Sequence, residues 1–433
     1  MIEKLLKKEP YSTEFKKLRT KLHTGKVRPK DYEVNESITL AWTLYNEDFI
    51  IKEIIKDLKE QKYETPHALE KNVTIEDKDR LLYTFDWHEK VLQGAIAALL
   101  TQILEPLLSN SVNSYRKGRG SHNTLIQLSN YIKSFNDDQK IYILKRDIKS
   151  YGDKIPHKKL LDVLTKYVPK EDYLFEVITK TLKFDYIEAG TGKLKQKDLG
   201  LPTGSPINNV IVNMFLMDLD KQIDKYSDDS CYFRYADDIL VATTKKDVAE
   251  KIKIILSQSM LDKELTFNQE KVRDLTFDKV EHRDESFKYL GLMVKTNGEL
   301  TLTKEKDKKI RDEIKQTILK IHKMTSRITR NKEDRVKNLI RASKSFFYKT
   351  DFLVTLSSYF PIVDDESYWE ELDLWVARTI LSNVYEQQGD RVFKKYPFKK
   401  LRQKGLPSIR HLRRLYLDDR ERFYKYINVG DLR

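Results

Sequence analysis

Two adjacent aspartates, Asp237 and Asp238, stand between the apolar runs Cys231-Tyr232-Phe233 and Ile239-Leu240-Val241-Ala242. Short apolar runs on either side of such a break read as two buried strands with the carboxylates at or near the bend. Any fold that buries both runs must hold two carboxylates together at the end of a sheet. Adjacent ionised carboxylates repel, and in a partly dry site one of them stays protonated unless a cation compensates both. A divalent metal ion is the natural compensator. Four other Asp-Asp pairs, at Asp137-Asp138, Asp228-Asp229, Asp364-Asp365 and Asp418-Asp419, lie among polar, charged or turn-forming residues or in a helical pattern. There a solvated pair costs little, as is usual for Asp. The strand–turn–strand setting sets Asp237-Asp238 apart.

The rest of the composition suits a protein that handles phosphate. A net charge of +14 arises from 81 Lys and Arg against 67 Asp and Glu, so the chain is rich in both signs. Such a balance fits a chain that follows a phosphate backbone while keeping acids for a separate task. At 433 residues, 39% hydrophobic and with only 14 Gly and 11 Pro, it is expected to fold as two or three helix-rich domains. A single cysteine, Cys231, excludes an internal disulfide framework and a cysteine-built zinc site. The absence of a long apolar run and of a secretory leader at Met1-Ile2-Glu3-Lys4 predicts a cytoplasmic protein with no membrane partner.

The pattern along the chain predicts three regions: a helical extension over residues 1–60, a mixed core over 61–302 and a mostly helical region over 303–433. Ile51, Ile54, Ile55 and Leu58 fit one helix face. Residues 72–75 and 80–85 read as a hairpin presenting Lys78 and Arg80. Helices are expected over Val91–Leu108, from Ser121 to about Phe135, over Ile207–Ile223 and from Lys246 to Met260. Strands are expected at Ile141–Leu144, near Leu265–Phe267 and over Phe287–Val294. Beyond Thr303 the seam Ile310, Ile314, Ile318 and Ile321 marks long basic helices. Trp369, Trp375, Tyr385, Tyr396, Phe398, Tyr416, Phe423 and Tyr424 are scattered among the cations there, a composition for core packing, nucleic-acid binding or self-association.

Asp147 ends the apolar strand Ile141–Leu144, so one shared sheet could bring Asp147, Asp237 and Asp238 to a single edge. Two magnesium ions held there would activate an attacking hydroxyl and stabilise a leaving pyrophosphate. Lys78, Arg80, Arg116 and Arg119 supply cations in the preceding segments.

This order of segments resembles the prokaryotic reverse transcriptases, the group that includes group II intron, retron and defence-associated enzymes. The resemblance is carried by Asp147-Ile148-Lys149-Ser150-Tyr151-Gly152-Asp153, by Leu201-Pro202-Thr203-Gly204-Ser205-Pro206 through Asn213, by Arg234-Tyr235-Ala236-Asp237-Asp238, by Leu265 to Lys271, and by Phe287-Lys288-Tyr289-Leu290-Gly291. It covers roughly residues 70–300 and implies an α+β right-hand polymerase, with fingers and an antiparallel palm sheet followed by an all-α thumb and C-terminal region. It further implies that Asp147, Asp237 and Asp238, with the backbone of Ile148, hold two Mg2+ ions, or Mn2+ in their place. Lys78, Arg80 and Arg116 would meet the triphosphate, Lys271 would assist the leaving pyrophosphate, and Tyr289-Leu290-Gly291 would brace the primer. Implied partners are deoxynucleotides, an RNA template or non-coding RNA and the DNA product, with a homo-oligomer or partner protein as a further expectation.

Two positions depart from the family pattern. The aromatic usual five residues after the first aspartate, which blocks a ribose 2′-hydroxyl, is Gly152 here, leaving either Tyr151 as its replacement or a relaxed sugar selection. The usual Pro-Gln-Gly is Pro202-Thr203-Gly204. The missing cysteine-built appendage and the missing Val-Thr-Gly of retron enzymes make the abortive-infection and unclassified defence-associated reverse transcriptases the expected subgroup, acting against phage. A retron or group II intron-type enzyme and a catalytically silent RNA-binding scaffold are the alternatives.

Overall fold

The computed structural model describes residues 1–24, 39–75, 78–283, 285–349 and 351–423. They form two compact units, one of Met1–Ser121 with Ile141–Thr276, the other of His122–Lys140 with the residues from Phe277 onward.

The first unit opens with helices α1 (Glu9–His23), α2 (Leu40–Tyr45) and α3 (Glu47–Lys59). Ile50, Ile51, Ile54 and Leu58 line the buried face of α3 and share one core with Tyr11 and Phe15 of α1. That core continues into α4 (Trp87–Leu104), which is buried along most of its length. Residues 1–60, expected as a helical extension, contribute α1–α3 to the first unit. Between α3 and α4 lies the expected hairpin of β1 (Ala68–Ile75) and β2 (Lys78–Thr84).

After α5 (Ser121–Lys133) the chain returns through β3 (Ile141–Asp147), α6 (Tyr151–Lys154), α7 (His157–Leu164), α8 (Tyr173–Leu182), β4 (Asp185–Ile187) and β5 (Leu194–Gln196). The expected helix over Ile207–Ile223 breaks at Leu216 into α9 (Asn208–Phe215) and α10 (Met217–Ile223). The hairpin β6 (Ser230–Tyr235) and β7 (Asp238–Thr243), α11 (Lys246–Asp262) and β8 (Arg273–Phe277) complete the unit. Two sheets result, β2-β1-β4-β5 and β6-β7-β3-β8. In the second, β7 lies between β6 and β3 and is antiparallel to both. Its apolar residues are buried and α11 packs on β3 and β7, which is why this strand reads as a continuous apolar run rather than an alternating one. The strand expected near Leu265–Phe267 reduces to one bridge, Phe267 with Ile148.

In the second unit, Phe287–Val294 folds as a hairpin of β9 (Ser286–Tyr289) and β10 (Leu292–Lys295), joined by β11 (Leu300–Leu302). Leu290 and Gly291 turn the hairpin at φ 42° and 80°, the left-handed pair that a two-residue turn favours. Helices α12 (Lys304–Thr325), α13 (Lys332–Lys349), α14 (Asp351–Ser357), α15 (Glu366–Tyr385), α16 (Val392–Lys395), α17 (Phe398–Gln403) and α18 (Ile409–Asp418) follow. Ile310, Ile314 and Ile318 form the buried seam of α12. Trp369, Tyr396, Tyr416 and Phe423 are core residues, and Phe360 packs edge-on against Trp369, Tyr416 and Phe423. These four rings pack the unit and are not displayed for stacking on bases; Tyr424 lies outside the described residues.

The boundary between the units falls at 276/277 and not at 302/303. The small sheet is tied to the helical segment by Leu300, whose amide donates to Asp364 at 2.7 Å, and by the Lys295–Asp365 ion pair at 2.9 Å. The fold class is α+β, as expected, with antiparallel pairing of β6, β7 and β3 and one parallel pair, β1 with β4, in the other sheet of the first unit. Among the described residues no helix is long and apolar enough to cross a membrane.

Candidate active site

The sheet register brings the three aspartates to one end. Asp147 closes β3 directly opposite Asp238, the first residue of β7, and the Ile148 amide donates to the Asp237 carbonyl at 3.1 Å. Tyr235 pairs with Asp238 across the β6–β7 turn, so Ala236 and Asp237 form a two-residue loop. Ala236 adopts φ 56°, a left-handed conformation that the twist of a hairpin demands and that alanine adopts at some cost. Next to this turn, the segment before Lys271 zips onto the end of β3. The Lys149 amide donates to Thr266 and the Asn268 amide to Asp147. Lys271 thereby reaches the Asp147 carboxylate at 2.7 Å.

Electrostatics follow from this crowding. Burial, then the neighbouring Asp238 and Asp147 carboxylates, push the Asp237 carboxyl up to about 6. Asp238 is also raised, by burial first and by Asp147, with Lys145 and Lys271 opposing. Burial alone would lower the Lys271 ammonium, but the hydrogen bond and charge of Asp147 outweigh it and hold its pKa above the ordinary lysine value. Three carboxylates at one end of a sheet, one of them pushed toward protonation by burial and then by the other two, are a donor set of hard oxygens that a divalent cation would satisfy. Carboxylate oxygens of this kind suit a hard divalent cation. Asp278, Glu281 and His282 in the second unit are the one group of three with all ligand atoms within 4.8 Å among the described residues. Asp278 there accepts the amides of Val280 and Glu281, an arrangement that closes a turn.

A buried ion pair supports the turn from below. Arg234, fully buried on β6, donates through Nε and Nη2 to Asp220 of α10 at 2.7 and 2.6 Å, and Tyr232 donates to the same carboxylate at 2.7 Å. Its remaining donors reach Asn213 and, at 3.4 Å, the Ala236 carbonyl. The role of this pair was not read from the sequence. The available signal was a lone arginine in an otherwise apolar strand, which implies a buried acidic partner.

The expected nucleotide-contact residues divide. Arg80 is exposed on β2; Lys78 opens that strand opposite Ile75. Arg116 is a correction: it is nearly buried, its guanidinium paired with Glu105 at 2.9 Å and bonded to the carbonyls of Ser109 and Val112, so it braces its own loop. Arg119 is likewise tied to Asn110. Tyr151 is also corrected, since its ring lies in the core and its hydroxyl donates to the Val212 carbonyl at 2.7 Å. It does not stand in for a ring at 152. A Cβ at Gly152 would meet nothing within 4 Å, so that position faces open space.

The Pro202-Thr203-Gly204 loop is held on several sides. Leu201 donates to the Gly152 carbonyl at 2.8 Å, Tyr83 of β2 donates to Thr203 at 2.9 Å, and Asn208 donates to Pro202 at 2.7 Å. Gly204 sits at φ 103°, and a Cβ added there would stand 3.3 Å from the Tyr83 carbonyl oxygen, a position that only glycine fills without strain. Beneath the loop a hydrogen-bonded chain runs from Ser205 to Gln93 to Glu89 to Tyr63. Burial raises the Glu89 carboxyl to about 7 against the opposing bonds from Gln93 and Tyr63.

An uncharacterized 91 kDa protein in a cob intron of Schizosaccharomyces pombe is 27% identical over 144 residues, 33% of this chain and 17% of that protein. A group II intron-encoded protein of Lactococcus lactis subsp. cremoris is 25% identical over 173 residues, 40% of this chain and 28% of that protein. The matches thus span less than a third of these curated relatives. The structure of telomerase from Candida albicans with a fragment of telomeric RNA superposes with a TM-score of 0.47 at 12% identity, covering 90% of this chain and 71% of that one. The family profile described as reverse transcriptase (RNA-dependent DNA polymerase) matches residues 70–294, a span that takes in most of the β1–β2 hairpin, the Pro202–Gly204 loop, Lys271 and all three aspartates. Just over half the chain lies within that profile, and the chain belongs to the reverse transcriptase family.

Proposed function

We propose that this chain is an RNA-directed DNA polymerase that extends a primer 3′ end with deoxynucleotides, using Asp147, Asp237 and Asp238 to hold two Mg2+ ions. The observation that carries the reading is the register that sets Asp147 opposite Asp238 with Asp237 in the adjoining turn. Bound there, Mg2+ would supply Lewis-acid stabilisation of the attacking and leaving oxygens. The chain's own residues do the remaining work. The carboxylates orient, Lys271 keeps its proton beside Asp147 and offers positive charge to a departing pyrophosphate, and exposed Arg80 faces solvent where a triphosphate would be met. Phosphoryl transfer asks little of a protein beyond such positioning and charge.

The test is incorporation of deoxynucleotides on a primed RNA template with Mg2+. Activity that a chelator abolishes, and that Asp147→Asn and Asp237→Asn each reduce at least a hundredfold, is the expected result. A wild-type protein that binds RNA but incorporates nothing would instead support the silent scaffold. The setting we propose is antiphage defence, and a phage challenge in which Asp237→Asn loses protection is its test. The identity of the two relatives favours a second reading, an intron-encoded enzyme, and sequencing the RNA that copurifies separates the two.

A further inference from the structure

Glu89 and Gln93 stand one turn apart on α4 and are buried, at 3% and 0% exposure. Packing alone gives no reason for a carboxyl there. Burial raises it to about 7, with the Asp86 charge adding to the rise and the bonds from Gln93 and Tyr63 opposing it. An apolar side chain of the same length would fill the space without that cost. What the carboxyl adds is direction. Its Oε1 accepts from the Tyr63 hydroxyl at 2.9 Å and from Gln93 Nε2 at 2.7 Å. Gln93 is thereby turned so that its Oε1 faces Ser205, whose hydroxyl donates to it at 2.5 Å and whose lone pairs are left for the Ile207 amide at 3.3 Å. An ionised carboxylate only accepts, so the direction of the whole chain is set at Glu89. Tyr63, at the far end, is fixed by α8: its amide donates to the Tyr173 hydroxyl at 3.1 Å and its carbonyl accepts from Lys180 at 2.9 Å.

The near end closes a turn. The Ser205 amide donates to the Pro202 carbonyl at 2.8 Å, which makes Thr203 and Gly204 the two central residues. Pro202 and Ser205 are buried, Thr203 is half-buried and Gly204 is exposed, so the anchors lie inside and the turn is displayed. Leu201, just before the turn, bonds to Gly152 in the segment that begins at Asp147, and Thr203 bonds to Tyr83 on the strand that carries Arg80. The turn therefore joins the two segments to which the polymerase reading gives a metal ligand and a triphosphate contact.

We propose that Glu89 is a positioning residue: acting through Gln93 and Ser205, it holds the Thr203–Gly204 turn in the shape that nucleotide addition requires. The inference rests on the polymerase reading above and extends it to a side chain that touches neither the aspartates nor the turn itself.

The test is a double-variant cycle on kcat/KM for deoxynucleotide addition, with Glu89→Met, Ser205→Ala, the two combined, and Glu89→Gln, which keeps an accepting oxygen in place. Glu89 and Ser205 do not bond each other, so effects of separate origin would multiply. Transmission through Gln93 predicts that each single change lowers kcat/KM about tenfold, equivalent to about 1.4 kcal/mol. The combined variant should lose no more than about threefold beyond either, and Glu89→Gln should stay within about threefold of wild type. Factors that multiply overturn the proposal. So does wild-type kcat/KM in Glu89→Met, whatever its stability in urea, or a Glu89→Gln as impaired as Glu89→Met. Should Glu89→Met fail to fold, Glu89→Asp replaces it, because the shorter side chain withdraws the oxygen from Gln93, and the same outcomes decide. Amide hydrogen exchange across residues 199–208 needs no activity and separates this inference from the polymerase reading. If the wild type adds no nucleotide, that reading fails, and faster exchange of the segment in Glu89→Met but not in Glu89→Gln, with the β6–β7 hairpin unchanged, still supports Glu89 as the residue that holds the turn. Unchanged exchange there, or equal acceleration across the first unit, overturns it.

Discussion

At the scale of single residues, the site is a place where the fold stores repulsion. Asp237 carries a carboxyl raised to about 6 because burial and two neighbouring carboxylates disfavour its charge. A folded pKa above the unfolded value of about 3.9 means that the group stabilises the fold below the unfolded pKa and that this contribution is lost as pH rises through 6. Metal-free protein at pH 7.5 has lost that contribution. Asp237→Asn, which does not titrate, is therefore expected to be more stable than wild type in chelator at pH 7.5, by on the order of 2 kcal/mol, or roughly 5 °C in Tm. The difference should shrink toward pH 4 and disappear or reverse on adding Mg2+, which relieves the wild-type repulsion and gains little from the amide. Thermal melts across pH, with and without Mg2+, check this. A wild type that outlasts Asp237→Asn in chelator at pH 7.5 would mean that the carboxylates are not crowded. The acidic pair and its metal logic were legible in the sequence because two apolar runs frame it. Arg116 was not, because a basic residue in a glycine-rich loop reads the same whether it faces a phosphate or a buried glutamate.

At the scale of elements, the β6–β7 hairpin is held by α10 and α9 as much as by its own ladder. Asp220 satisfies the buried guanidinium of Arg234, which in turn contacts the turn residue Ala236 and the Asn213 that anchors Ser114. Removing one partner of such a pair leaves a charge buried without compensation, which costs about 3–5 kcal/mol, whereas replacing both by apolar residues is often neutral. Asp220→Ala is expected to lower stability by roughly that amount in urea denaturation. Joining Asp220→Leu to Arg234→Met should recover most of the loss. Polymerase activity should stay low in the double variant, because the donors to Ala236 and Asn213 are gone. Recovery of activity together with stability would show that the pair serves packing alone. Each strand and helix concerned was visible as a periodic run, but the lateral order of β6, β7 and β3 was not, since adjacency in a sheet is decided by tertiary burial. The helix expected across Ile207–Ile223 failed at Leu216 for a related reason: its apolar residues continue on both sides, and nothing in their spacing marks the break.

At the scale of the whole molecule, the change from mixed to helical character at Thr303 marks a helix start and not a domain border. Thr303 caps α12 by accepting the Lys306 amide, which is the local signal that the sequence carries. The border depends instead on contacts between residues far apart in the chain. Leu300 bonds to Asp364, Lys295 pairs with Asp365, Lys279 pairs with Asp137, and Gly298 lies so close to Ser129 and Lys133 that an added Cβ would stand 2.8 Å from both. These contacts recruit residues 122–140 and β9–β11 into the helical unit, and no spacing pattern announces them. A chain ended after Leu302 should therefore not yield an intact polymerase core. It keeps α5 and the small sheet but removes the α12, α13 and α15 faces, including Ile310, Ile314, Ile318 and Trp369, that close their unit. Exposing that much apolar surface is expected to give an aggregating fragment, or one in which protease cuts first within 122–140 and 277–302 while the first unit persists. Soluble yield and mass-mapped limited proteolysis against the full chain are the measurements. A monomeric fragment that resists protease in those two segments and melts cooperatively at the full-length Tm would place the border back at 302/303.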